Sequence, residues 1–214
     1  MKKYLLLISL FLCCFLVSCD KHPVAIDLGL PSGTKWASCN VGAENPWEYG
    51  GYYAWGETEE KSDYSWDTYK YCNGSDDTMT KYCTKSYSGS VDNKTVLEPA
   101  DDVATVKWGG TWRMPTKAEQ DELRKNCTWE WTILNGVYGY QVTGPNGNSI
   151  FLPAAGYRSR SGVSDQGADG YYRSSTLGDG FSNDIAYNLY FRAGNYKWSY
   201  SYRDGGRSVR PVCK

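Results

Sequence analysis

The sequence predicts an α+β domain of many short strands, two short helices and long ordered loops. Three observations point there. Only two segments carry helix-start signals, the remaining apolar runs are short and punctuated by Gly and Pro, and the final third alternates aromatic with small polar side chains. With 214 residues the chain can build one domain with a substantial core.

The first element is a leader. "MKK" followed by an apolar run from Tyr4 to Val17 fits an export signal, and the run is shorter than the roughly 20 residues a spanning helix needs. Leu16-Val17-Ser18-Cys19 resembles the bacterial lipobox, in which the cysteine is acylated and becomes the first residue of the mature protein. Residues 1–18 are therefore expected to be a lipoprotein signal peptide, 19–23 a tether anchored at Cys19 by palmitate-type acyl chains, and 24–214 a single domain. Acylation holds a protein to a membrane face without crossing it. The expected location is a bacterial cell envelope, at the outer membrane.

Next comes a hairpin, "VAIDL" (Val24 to Leu28) turning through "GLPSG" into "TKWASC" (Thr34 to Cys39). The stretch from Gly42 to Thr95 is too irregular for regular elements, but its aromatics predict ordered loops. "EPADDVATVKW" follows as a helix, with Pro99 in the first turn, Asp101 and Asp102 at its positive end, and Val103 and Val106 on one side. "PTKAEQDELRKN" is the second helix: Thr116 and Glu119 form a capping box, and Ala118 and Leu123 are offered to the core. After Cys127, "YGYQVTG" and "SIFLPAAGY" read as strands. The last hairpin sets Ile185, Tyr187, Leu189 and Phe191 on one face and Tyr196, Trp198, Tyr200 and Tyr202 on one face beyond the turn "RAGN". "DGG" then turns into "RSVRPVC", where Pro211 marks a sheet edge or strand end.

Composition excludes several functions. The formal charge is −1, and loss of the leader's Lys2 and Lys3 makes the exported part more acidic, so nothing draws this chain to nucleic acid. His22, the single histidine, lies in the tether, which removes His-based triads and His-ligated zinc from the folded part. Cys39, Cys72, Cys83, Cys127 and Cys213 show no metal spacing; export permits disulfides, and proximity in sequence favours a Cys72–Cys83 bridge. Asp101 with Asp102, and Glu59 with Glu60 beside Lys61, read as solvated structural pairs, and "GGTWRMP" as a packing motif that lacks the lysine of a phosphate loop.

"VAIDLGLPSGTKWASCNVGA", "YYAWGETEEK", "EPADDVATVKWGGTWRMPTKAEQDEL", "CTWEWT", "NSIFLPAAGYR" and "GGRSVRPVC", in that order, resemble the Fibrobacter succinogenes major paralogous domain, frequent in exported lipoproteins. "WRMPTKAE" and "WEWT" also resemble the formylglycine-generating, sulfatase-modifying family. The resemblance spans Val24 to Cys213. It implies a C-type lectin-like fold: a twisted antiparallel core, two helices under long loops, and paired N- and C-terminal strands. It implies no enzyme, because the cysteine pair of the formylglycine enzymes is reduced here to Cys213. Nor does it carry a calcium site, since "GPN" offers Gly144 where a ligand should stand and "SND" (Ser182 to Asp184) only approximates the second motif. No cofactor or metal is expected.

What remains is the Tyr-rich C-terminal region, whose residues are those of recognition surfaces: rigid rings with adaptable Ser, Asn and Gly between them. In the lectin-like fold ligands bind here. Leu189, Phe191, Tyr187 and Trp198 are assigned to the core. Exposed contact is assigned to Tyr171, Tyr172, Arg173, Asp179, Asn183, Asn188, Tyr190, Arg192, Asn195, Tyr196 and Arg203, which come from turns or the opposite parity. The expected function is non-enzymatic: an adhesin-like envelope protein binding a surface protein or glycan, with a structural role in an envelope assembly, or a formylglycine-type modifying enzyme, as alternatives.

Overall fold

A computed structural model describes residues 23–214. The leader, Cys19 and His22 fall outside the described residues. Strand β1 (Ala25–Asp27) pairs antiparallel with β2 (Lys35–Ala37), as the Gly-Pro turn between them requires. Residues 42–95 contain only short 3-10 turns, at Trp66–Thr68 and Ser86–Ser88, and isolated bridges. The stretch is nonetheless core-forming: Tyr53, Trp55, Tyr64, Tyr69, Tyr71 and Tyr82 are buried in it. Tyrosine suits irregular chain because its hydroxyl reaches backbone groups that no ladder satisfies. Tyr69 donates to the Trp55 carbonyl and Tyr64 to that of Tyr52.

Helix α1 (Val103–Trp108) starts one turn later than the sequence suggests, after a 3-10 turn at Pro99–Asp101. Asp102 is the N-cap and accepts from Ala104 N and Thr105 N. With this start Val103 and Ala104 face inward and Val106 is exposed, contrary to the one-sided pairing expected of the two valines. Helix α2 (Lys117–Asn126) has the expected capping box, Thr116 with Glu119, an arrangement worth about 1 kcal/mol. Leu123 is buried, but Ala118 is exposed; Gln120 takes the inward position because its amide donates to the Tyr172 and Arg173 carbonyls.

Strands β3 (Thr128–Leu134), β4 (Val137–Thr143) and β5 (Ser149–Pro153) form an antiparallel meander, and β6 (Tyr157–Ser159) and β7 (Gly162–Ser164) a small hairpin. Strands β8 (Asp169–Leu177), β9 (Ile185–Arg192) and β10 (Asn195–Tyr202) make a third sheet in the order β10-β9-β8. Gly170 is needed there, since a Cβ would lie 2.1 Å from the Phe191 ring. Last, β11 (Val212–Cys213) pairs with β2, Val212 opposite Trp36, so the two ends of the domain share a sheet.

The class is mixed and mostly sheet, with two helices and four antiparallel sheets among the described residues. Two apolar clusters hold it together. One gathers Trp55, Tyr82, Met79 and Val103 with Leu177 and Ala186 of the third sheet; the other gathers Leu28, Trp36, Leu123, Tyr140 and Val142 with Tyr172, Leu189 and Phe191. Strands β8 and β9 therefore lie between two cores, and α2 covers their sheet.

The expected Cys72–Cys83 bridge is absent, and all five described cysteines are free. Strand-like pairing sets Cys72 opposite Met79, while Cys83 turns into the core, where its thiol donates to the Lys85 carbonyl. Cys213 is likewise bonded to neither Cys39 nor Cys127.

Candidate functional site

The C-terminal hairpin positions the site. Its register sets Trp198 opposite Leu189, Tyr200 opposite Tyr187 and Tyr202 opposite Ile185, so the rings of β10 and the apolar residues of β9 lie on one face. Strand β10 is the outer strand, however, and its rings extend past the core: Trp198, Tyr200 and Tyr202 are 41%, 55% and 58% exposed. Trp198 is thus surface, contrary to its core assignment. It is fixed edge-on against Tyr187, with the Lys117 ammonium 4.7 Å from its ring centroid.

Burial of both faces of β8 and β9, and of the residues flanking β9 and β10, corrects much of the expected contact set. Tyr172, Arg173, Asn183, Asn188 and Arg203 are all at most 2% exposed. The rule of alternate faces fails because a second layer covers the opposite side of a central strand. Arg173 donates to Ser201 Oγ and to the Tyr202 and Gly205 carbonyls, and Ser201 donates in turn to Asn188 Oδ1. Arg203 binds the Lys81, Tyr82 and Asn183 carbonyls and Tyr69 Oη, with its guanidinium over the Trp55 ring. Asn183 closes the loop by accepting from Thr84 N. Tyr172 donates to the Pro153 carbonyl.

Of the remaining predicted residues, Asp179, Arg192, Asn195 and Tyr196 are exposed, and Tyr171 and Tyr190 are half-buried with both hydroxyls donating to Asp169. Tyr196 stacks on Trp129 at 4.7 Å, away from the main depression.

That depression, of about 640 Å³, lies between the loop Asp179 to Asp184 and the edge of β10 at Tyr200 and Tyr202. Tyr202 and Arg207 also line a second, of about 370 Å³, walled by Tyr157, Tyr171, Asp165 and Asp204. Tyr64, Ser159 and Asp204 line both this one and a third, of about 570 Å³, beside Trp66, Asp67 and Arg160. Each is within the roughly 300–1,000 Å³ typical of ligand sites. Phe181, 86% exposed, lines the first, with Tyr87 stacked on it.

Arg207 is the unusual group. It is 8% exposed, its Nη1 donates to the Gly206 carbonyl, and its Nε has no hydrogen-bond partner. Burial lowers its pKa to about 10, against the opposing pull of Tyr171, Tyr157, Asp204 and Asp165. Its guanidinium is 4.5 Å from the Tyr157 ring centroid. The Asp204 carboxyl is pushed up, again by burial, with Arg173 opposing. The depressions therefore offer aromatic faces, carboxylates, serine and tyrosine hydroxyls and one desolvated guanidinium.

Asp204 and Arg207 were not among the expected contacts, although "RDGGR" places three charges on a turn after an aromatic strand. Phe181 was readable as a lone ring between Gly180 and Ser182. At the "GPN" turn a Cβ on Gly144 would lie 2.0 Å from the Leu28 carbonyl oxygen, and Asn146 donates to the Asp27 carbonyl, so this segment is a structural clasp. Among the described residues no three His, Cys, Asp or Glu side chains are placed to hold a metal ion. No helix there is long and apolar enough to cross a membrane. No protein-family model, curated protein or solved structure matches this chain.

Proposed function

We propose that this chain is a non-enzymatic, lipid-anchored binding protein of a bacterial outer membrane, with one C-type lectin-like domain that presents its C-terminal aromatic face to a surface protein or glycan. The observation that carries this reading is the set of exposed rings, Trp198, Tyr200, Tyr202 and Phe181, along one strand edge and its adjoining loop. Clustered exposed rings of this kind mark interaction sites. Tyrosines provide rigid contact area at low entropic cost.

Other features support the same reading. The pairing of β11 with β2, two helices and long ordered loops agree with the lectin-like plan. Export and anchoring rest on Leu16 to Cys19. A redox role for Cys213 lacks a nucleophile: the thiol is 5% exposed, and burial pushes its pKa up, which keeps it protonated. A concave site between the Asp179 to Asp184 loop and β10 favours a ligand-binding role over a structural one, for which a broad flat apolar patch is the usual mark.

The test is a glycan array together with a pull-down against surface-protein extracts, using the full chain and a Tyr200→Ala/Tyr202→Ala variant. Capture that depends on the two rings supports the proposal. Two blanks from well-folded protein sink it.

A further inference from the structure

The second depression gathers three charges that the fold leaves without counter-ions. Arg207 is 8% exposed, and among the described residues its guanidinium makes one hydrogen bond, from Nη1 to the Gly206 carbonyl, and no ion pair. Asp165 and Asp204 line the same depression and are near enough for their charge to act on Arg207. Neither is ion-paired with it or with any other described side chain.

Leaving a charged donor buried and unpaired is unfavourable. The fold meets that cost in part with the rings of Tyr157 and Tyr171, whose centroids lie 4.5 and 5.4 Å from the guanidinium carbon. Ring faces hold a cation, but they do not supply the oxygen acceptors that its N–H groups require. An acceptor-seeking guanidinium therefore stands beside two donor-seeking carboxylates.

That arrangement discriminates by charge. A simple anion would satisfy Arg207 but face two carboxylates. A simple cation would satisfy Asp165 and Asp204 but face Arg207 and leave its N–H groups unpaired. One small molecule that carries both charges meets all three groups. Tyr64 and Tyr202 complete the aromatic walls, and tyrosine faces attract ammonium groups, methylated ones included. A volume of about 370 Å³ lies at the small end of ligand sites and suits a single amino compound.

We infer that the second depression binds a free zwitterion of the α-amino acid or betaine type, its carboxylate on the Arg207 guanidinium and its ammonium group between Asp165, Asp204 and the tyrosine rings. Two carboxylates against one guanidinium leave the site net negative, so affinity should rise from glutamate through glutamine to lysine. The site goes beyond the surface face proposed above: Tyr202 borders both, but Tyr200 and Phe181 line only the first depression.

The test is isothermal titration calorimetry of the full chain in mild detergent with glycine betaine, glutamine, lysine and glutamate, and with acetate and tetramethylammonium as the separate halves. At least one of betaine, glutamine and lysine is expected to bind at least about tenfold more tightly than either half, with glutamate the weakest of the amino acids. Asp165→Asn should weaken that binding at least about fivefold. Asp165 is exposed and its φ of 57° is one that Asn also adopts, so this variant keeps its fold. Arg207→Lys should weaken binding as well; if its melting temperature falls, the Asp165 variant decides. Binding by no zwitterion, equal binding by either half, or an unchanged affinity in Asp165→Asn overturns the inference. Tyr200→Ala separates the two proposals: it should reduce capture of a surface partner and leave zwitterion binding as in the wild type. Loss of zwitterion binding in that variant would place the ligand elsewhere and also overturn the inference. If no zwitterion binds but a surface partner is captured through Tyr200, this inference fails and the binding-protein reading stands.

Discussion

Trp66 meets Tyr202 edge-to-face, with ring centroids 6.1 Å apart and planes at 77°. This contact joins the irregular segment before α1 to the end of the last long strand. It also fixes the orientation of a ring that is 58% exposed. Under the proposed binding function, a ring held by a neighbour loses little entropy on contact with a ligand.

Removing one partner of this contact should therefore affect binding more than folding. Tyr202→Ala is expected to cost about 1 kcal/mol of stability, the worth of an edge-to-face pair. Trp66→Ala should cost more, because Trp66 also packs against the first apolar cluster. Urea melts of both variants, set beside their ligand affinities, check the order. A larger loss of stability in Tyr202→Ala than in Trp66→Ala would contradict it.

Arg203 is expected to be among the least replaceable residues. Its fork satisfies three carbonyls and the Tyr69 hydroxyl at a fully buried position. Arg203→Lys keeps the charge but cannot span those acceptors, and the predicted loss is at least about 2 kcal/mol by chemical denaturation. A wild-type denaturation midpoint would show that the carbonyls find other partners.

Acid should destabilise the domain through two carboxylates. Burial alone would raise Glu119, but the Arg113 guanidinium and the Thr116 donors overcome it and hold the group at about 2, below its ordinary 4.5. Asp101, like Asp102, is buried and not solvated as the sequence suggests, yet Lys81, Tyr71, Tyr82 and Lys70 hold it well below the usual carboxylate range. Both pKa values are depressed on folding, so their stabilisation is complete above the ordinary carboxylate values and is lost as pH falls toward 2. For Glu119 this is on the order of 3 kcal/mol. Asp102, raised by burial, has the opposite sign and offsets a part. Denaturation midpoints should stay level near neutrality and fall below about pH 4.5, less steeply in Glu119→Gln. An unchanged slope in that variant would assign the acid sensitivity elsewhere.

The thiols give a simple chemical check. Denaturing alkylation without prior reduction should label Cys39, Cys72, Cys83, Cys127 and Cys213, and reductant should leave the melting temperature unchanged. A disulfide-linked peptide in the mass map would contradict the free-cysteine arrangement.

Local chemistry was legible in the sequence where it is decided locally. The capping box of α2, the turn into β2 and the period of two along β9 follow from neighbouring residues. Placement within layers did not follow. Asn188 and Arg173 have the polarity of surface residues but form a buried layer, because segments far along the chain cover that face. Trp198 shares a face with Leu189, yet sits on the outer strand, and nothing in a two-residue period says which strand of a sheet is the edge. The tyrosines of 42–95 lack periodicity because they pack from chain without regular structure, so composition showed order there without showing position.

Strand β2 lies between β1, its neighbour in sequence, and β11, at the far end of the domain. The Trp36 layer stays open on one side until Val212 arrives, so this sheet closes only after nearly the whole domain has been synthesised. Contacts of such long separation slow folding. A domain wired in this way completes its first sheet last.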